Sequence, residues 1–266
     1  MNWNRTKTIF IITFLLLNVF LTFQLIQKND HYQMSSIPEM TLQERLNTNN
    51  ITIDTELPEV DSDDHHIIGR NQPFTDQHLD YLGDNQVTQV SEDGKILTSL
   101  LQEPFPLTEG QFSQDLTNFL INHVNGGADY RFGHYDQSYE RIYLYQAFNG
   151  HTAYSDEYAP LIIHLNEERE IVKYEQRYIE FEEHGSESEI LSSLKAIEVL
   201  LNLSFIGIGD TITSIEYGYH NRYTFENEDL MYAPMWLVTL SNDESYLIHA
   251  IEGDVQNLTV EEEEET

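Results

Sequence analysis

Apolar positions in this chain follow three rhythms, and each predicts a different kind of element. Residues 9–26, IFIITFLLLNVFLTFQLI, hold fourteen Ile, Leu, Val or Phe and no charge. A helix of that length covers roughly 27 Å, enough for the hydrocarbon core of a bilayer. Each apolar residue favours insertion by about 0.3–0.6 kcal/mol, which outweighs the polar Thr13, Asn18, Thr22 and Gln24. A cleaved leader needs a shorter run followed by a small-residue site, and the first small pair, Ser35-Ser36, comes late. The run therefore reads as a retained single-pass anchor. Arg5 and Lys7 precede it and only Lys28 closely follows it. That bias predicts a cytoplasmic N-terminus and an extracellular remainder.

The second rhythm is helical. Thr41-Leu42-Gln43-Glu44 matches a capping box, with Leu42 and Leu46 on one face and Asn49-Asn50 as the stop. Phe112, Leu116, Phe119, Leu120 and Val124 repeat at helical spacing up to Asn125-Gly126-Gly127. A further helix is expected from about Ser188, carrying Ile190, Leu191, Leu194, Ile197, Leu200 and Leu201.

The third rhythm is that of strands. Gln86–Val90 and Ile96–Leu101 flank a turn containing Asp93-Gly94 and predict a hairpin. Ile51–Ile53 opens a strand, and Asp61–Asp64 reads as a turn or loop. Tyr-rich runs at 128–135, 139–149, 160–165 and 171–181 follow the first long helix. Runs at 212–219, 235–240, 246–251 and 255–260 follow the second. Tyr158-Ala159-Pro160 parallels Tyr232-Ala233-Pro234, which suggests two related units, chance recurrence of a short motif being the alternative. The expected fold class is α+β: one N-terminal transmembrane helix, then an extracellular ectodomain of helix-plus-antiparallel-sheet units. The expected division is a tip at 1–8, the span at 9–26 and a juxtamembrane linker at 27–38. Next come one lobe at 39–108, a second at 109–260 (units of about 109–182 and 183–260), and an acidic tail at 261–266.

Charge sharpens this picture. All 46 acids follow the span against 11 of the 13 Lys and Arg, so the outer part carries −35. Such a surface repels nucleic acid, whose binding rests on cations that neutralise phosphates. The plain reading of the charge is solubility. No cysteine is present, so neither disulfides nor thiol chemistry are available.

Candidate chemistry is sparse. Asp61-Ser62-Asp63-Asp64-His65-His66 lacks the glycine and the distant glutamate of a calcium loop, and reads as a solvated acidic loop. Gly207-Ile208-Gly209 is turn punctuation, because the third glycine of a dinucleotide fingerprint is missing. His164 and His249 lie in apolar strands and read as satisfied sheet histidines. Carboxylates are too numerous for any one pair to signal hydrolysis. No catalytic, cofactor or metal residues are expected.

Met1 to Leu21 resembles the start of the YycI family, with Trp3, then Arg5-Thr6-Lys7, and Leu17-Asn18 within the span. Leu42 to Leu46, Asn50-Ile51, Phe74-Thr75-Asp76 and Pro104-Phe105-Pro106 resemble that family's later elements. Ala233 to Trp236 and Tyr246 to Val255 also look similar to a PepSY module. The family resemblance implies a non-enzymatic regulator in the membrane of a Gram-positive bacterium, without cofactors. It would modulate the sensor histidine kinase WalK (YycG), which controls cell-wall metabolism, together with a YycH-like partner. A homo- or hetero-dimer would be compatible with that role. A strongly acidic ectodomain is not a mark associated with the family.

For contact within the membrane, the span offers a stripe of Phe14, Asn18 and Thr22, four residues apart. A partner helix bonding to Asn18 would contribute about 0.6–2 kcal/mol; bonding to nearby backbone or to water is the alternative. The competing functional readings are a tethered PepSY-like ligand-binding or protease-inhibitor module, and a wall-directed hydrolase.

Overall fold

A computed structural model describes residues 7, 13–15, 17–18, 20, 22, 40–80, 82–83, 85–225 and 228–258. It divides into one unit over Met1–Asn50 and another over Ile51–Thr266. Most of the tip and of the span, and all of the linker and the acidic tail expected above, lie outside the described residues. Among the described residues, no helix is long and apolar enough to cross a membrane.

In the first unit, Thr13, Phe14, Leu15, Leu17, Asn18, Phe20 and Thr22 have helical backbone and are exposed. Helix α1 (Leu42–Thr48) starts as its cap predicts. The Thr41 hydroxyl accepts from Glu44 N, and the Glu44 carboxylate accepts from Thr41 N at 2.9 Å. Asn50 ends the turn with φ 52°, the left-handed conformation that Asn tolerates.

The second unit is mostly strand. Its short segments are β1 (Thr52–Ile53), β2 (Asp63–Gln72), helix α2 (Asp76–Asp80), β3 (Gln86–Val90) and β4 (Leu97–Pro106). Helix α3 (Phe112–His123) leads into a meander of β5 (Tyr130–Asp136), β6 (Arg141–Phe148), β8 (Leu161–Leu165) and β9 (Glu170–Gln176), with β7 (His151–Tyr154) inserted. Strand β10 (Tyr178–Glu189) and helix α4 (Ser193–Asn202) precede a second meander. It comprises β11 (Thr211–Thr224), β12 (Leu230–Leu240), β13 (Ser245–His249) and β14 (Val255–Asn257). Thus a helix followed by four antiparallel strands occurs twice. Tyr158-Ala159-Pro160 precedes the third strand of the first meander, whereas Tyr232-Ala233-Pro234 lies in the second strand of the other.

One sheet runs β10-β2-β12-β11-β7-β6-β8-β9-β4-β3. The two meanders meet at β7, which pairs antiparallel with β6 and parallel with β11. Asn149 (φ 49°) and Gly150 (φ 87°) form the turn that returns β6 into β7. Gly218 sits where β7 crosses closest, since a Cβ there would lie 2.6 Å from the Thr152 carbonyl oxygen.

Helix α3 buries Leu116, Phe119 and Leu120 against Leu97, Ile142, Leu144, Leu161, Ile163 and Tyr174 of the first meander. That face is the one its spacing predicts. The Tyr174 hydroxyl donates to His123 O at 2.7 Å, and burial pushes its pKa up to about 12.

Several boundaries differ from the sequence reading, and three of these differences shape the sheet around β2 and β10. Helix α4 begins at Ser193, capped by Ser192 at 3.4 Å from Lys195 N. Its expected start near Ser188 is taken up by β10, whose Ser188 and Glu189 pair with Asp64 and Asp63. The run at 171–181 is two strands, because β9 pairs with β8 and β4 whereas β10 pairs with β2. Residues 63–66, expected in a loop, open β2.

Candidate functional site: an aspartate–tyrosine–histidine cluster

Strand β2 opens on four polar residues, Asp63, Asp64, His65 and His66, before Ile67 and Ile68, so it has no alternation of polar and apolar positions to mark it as a strand. Pairing with β10 extends the strand back to Asp63 and carries Asp64 over the second meander. There the Asp64 carboxylate accepts from the Tyr217 hydroxyl at 2.5 Å and the Tyr219 hydroxyl at 2.8 Å. Tyr217 and Tyr219 are two apart on β11, so the period of a strand points both rings the same way. Burial first, then the neighbouring carboxylate, holds both phenols far above their usual pKa. They stay neutral donors, and the carboxylate stays their acceptor.

Trp236 completes this side. Its register partner is Tyr217, with ring centroids 5.1 Å apart. The indole Nε1 donates to Leu191 O at 2.8 Å, which ties β12 to the segment entering α4. A fully buried indole needs such an acceptor.

His66 adjoins this cluster. It pairs across β2 and β10 with His184, and its ring lies 5.8 Å from that of His249 on β13. His249 is buried, and its Nδ1 accepts from both Ile251 N and Glu252 N at 3.2 Å. The ring must therefore be neutral, with its proton on Nε2. Burial lowers the pKa of His66 and His249, although Glu252 opposes this at both.

The cluster joins β2, β10, β11 and β13 through one charge and a set of neutral donors and acceptors. Among the described residues, no group of three or more His, Asp or Glu is placed to hold a metal ion.

The structure handles the sequence candidates unequally. Asp64 and His66, expected in a solvated loop, are half-buried in a strand, because two tyrosine donors and the β10 pairing replace water. His249 is the satisfied sheet histidine it was read to be. His164 faces Glu175 at 3.4 Å. Gly207 and Gly209 form a turn in which Gly207 N donates to Asp210. Phe14, Asn18 and Thr22 belong to the first unit, on exposed helical backbone. The tyrosine pair was missed, although Tyr217 and Tyr219 stand two apart in a predicted strand; nothing local links them to Asp64.

Two solved structures overlap this chain loosely. An uncharacterized protein from Eubacterium rectale gives a TM-score of 0.46 at 11% identity, over 79% of this chain and 91% of that one. YycH from Bacillus subtilis gives a TM-score of 0.35 at 11% identity, over 76% of this chain and 53% of that one. The chain thus spans about half the length of that YycH. Among curated proteins, no sequence matches. The pattern of the YycI protein family, by contrast, matches residues 23–261, which is nearly the whole of the chain beyond the apolar run. This chain belongs to the YycI family.

Proposed function

We propose that this chain is a non-enzymatic, membrane-anchored accessory protein of the WalK (YycG) sensor histidine kinase system. It modulates the kinase through its span and its extracellular unit, together with a YycH-like protein. Family membership over residues 23–261 is the observation that carries this reading. Phe14, Leu15, Leu17 and Phe20 support the anchor: on helical backbone they are between 51% and 66% exposed, an arrangement suited to lipid. Arg5 and Lys7 set the N-terminus inside.

Co-purification of full-length and span-swapped protein with the host's histidine kinases tests the proposal. The native span is expected to retain WalK, and the swapped span to lose most of it. Equal recovery would refute contact through the span. Asn18→Leu is expected to weaken association in a two-hybrid assay while membrane insertion is unchanged.

The tethered ligand-binding reading has one observation in its favour. Helix α4 and the β11–β14 meander form a helix-on-sheet unit with Trp236 buried in it, continuous through β2 and β7 with the rest of the sheet. Deleting residues 9–26 separates the two readings, because only the second survives in a secreted ectodomain.

A further inference from the structure

Two edge strands of this sheet, β10 and β5, differ in charge. Strand β10 ends the sheet on one side and carries exposed Glu180, Glu182, Glu183, Glu187 and Glu189. A row of charge on an edge strand blocks pairing with another chain. Strand β5 is also an edge: among the described residues it pairs only with β6. Yet from Tyr130 to Tyr135 it has one charge, Arg131, and no acid.

The surface beside that edge is apolar and carries little charge. Helix α3 and β5 enclose a groove of about 640 Å³, lined by Phe112, Leu116, Thr117, Ile121, Arg131 and Phe132 among others. Phe112, Ile121 and Phe132 are 38%, 49% and 46% exposed. Phe112 and Phe132 meet edge to face across the groove at 5.7 Å. A bulge between Phe132 and His134 breaks the alternation of the strand there. Residues 112–135 hold Asp115, Asp129 and Arg131 as their only Asp, Glu, Lys or Arg, in a chain of net charge −33. Exposed aromatics and low local charge beside a strand edge free of acids from Tyr130 to Tyr135 together are the features of an interface.

We propose that the β5 edge and the α3 groove form a docking site for an extended segment of a partner polypeptide. The segment adds as a strand beside β5, its main chain bonding to the edge and alternate apolar side chains entering the groove. Charge argues against a second copy as the occupant, since two chains of −33 repel. An uncharged or basic segment from a partner of less acidic character fits instead. This surface is separate from the residues invoked for contact within the membrane.

The test pans a phage-displayed random heptapeptide library against the full-length chain in detergent, in parallel with Ile121→Lys and Thr117→Lys variants. Both positions are exposed, and circular dichroism and the urea midpoint verify folding of each variant. The expected result is enrichment of alternating apolar, uncharged or basic peptides. They should slow amide hydrogen exchange in β5 and lose at least about ten-fold in affinity for either folded variant, as a charge buried in an apolar contact does. Four results would overturn the proposal: no enrichment over the variants, protection of other strands only, slow exchange of β5 in the chain alone, or concentration-dependent self-association abolished by Ile121→Lys.

Discussion

The side chain of Gln146 treats the backbone of Ile179 as a neighbouring strand would. Its Nε2 donates to Ile179 O at 2.6 Å, and its Oε1 accepts from Ile179 N at 3.0 Å. Gln146 is on β6 and Ile179 on β10, two strands that do not pair, so one buried amide joins the first meander to β10. Replacing it with Leu would orphan two buried backbone groups at about 1–3 kcal/mol each. The expected outcome for Gln146→Leu is a loss of about 2–5 kcal/mol, read from urea unfolding, with the far-ultraviolet spectrum preserved.

Gly218 bears on the seam between β7 and β11. A methyl at its Cα would press on the Thr152 carbonyl oxygen, which is backbone and cannot swing away. Gly218→Ala should therefore cost about 1–3 kcal/mol as the strands are forced apart. A substitution at the open Gly207, where a Cβ meets nothing within 4 Å, serves as the control and should change thermal stability little.

At the cluster, Asp64→Asn keeps one oxygen acceptor but removes the charge that favours two phenol donors. Asp64→Leu leaves both donors without a partner. We expect a loss of about 1–2 kcal/mol for Asn and about 2–4 kcal/mol for Leu. Near-ultraviolet dichroism reports the release of Tyr217 and Tyr219. Equal stability of the two variants would mean that water already serves the phenols.

Acidification should weaken the second unit in a defined direction. Burial lowers the pKa of His66, His123, His164 and His249 below the ordinary histidine value. The unfolded chain then binds protons that the folded chain refuses, so stability rises with pH across the interval between folded and unfolded values. Their contribution is complete above about pH 6.5 and is lost as pH falls below it. His249 also needs a free Nδ1 for Ile251 N and Glu252 N. The melting temperature is expected to drop between pH 7.5 and 5.5, with a shallower drop in His66→Asn. An unchanged slope in that variant would place the titration at the other histidines.

Much of the local structure was legible in the chain. The Thr41–Glu44 cap, the α3 face from Leu116 to Val124 and the hairpin around Asp93-Gly94 all depend on residues a few positions apart. Asn149-Gly150 returns β6 into β7, a turn that the sequence reading did not single out. Strand β2 was hidden because acids and histidines occupy its start, where burial comes from partners far along the chain. The beginning of α4 was misplaced for the same reason: Ser188 and Glu189 suit a helix end, but Asp63 and Asp64 hold them in a strand.

The sequence by itself determined the apolar run, the acidic surface, the helix faces and the turns, since each depends on composition or on near neighbours. Only the tertiary structure decided that β2 lies between β10 and β12, that Asp64 reaches tyrosines 153 and 155 positions away, and that β5 is left open at an edge. Alternation of side chains tells which face of a strand is buried. It does not tell which strand lies alongside, because every backbone offers the same hydrogen bonds and the choice among them is made by packing of the whole sheet.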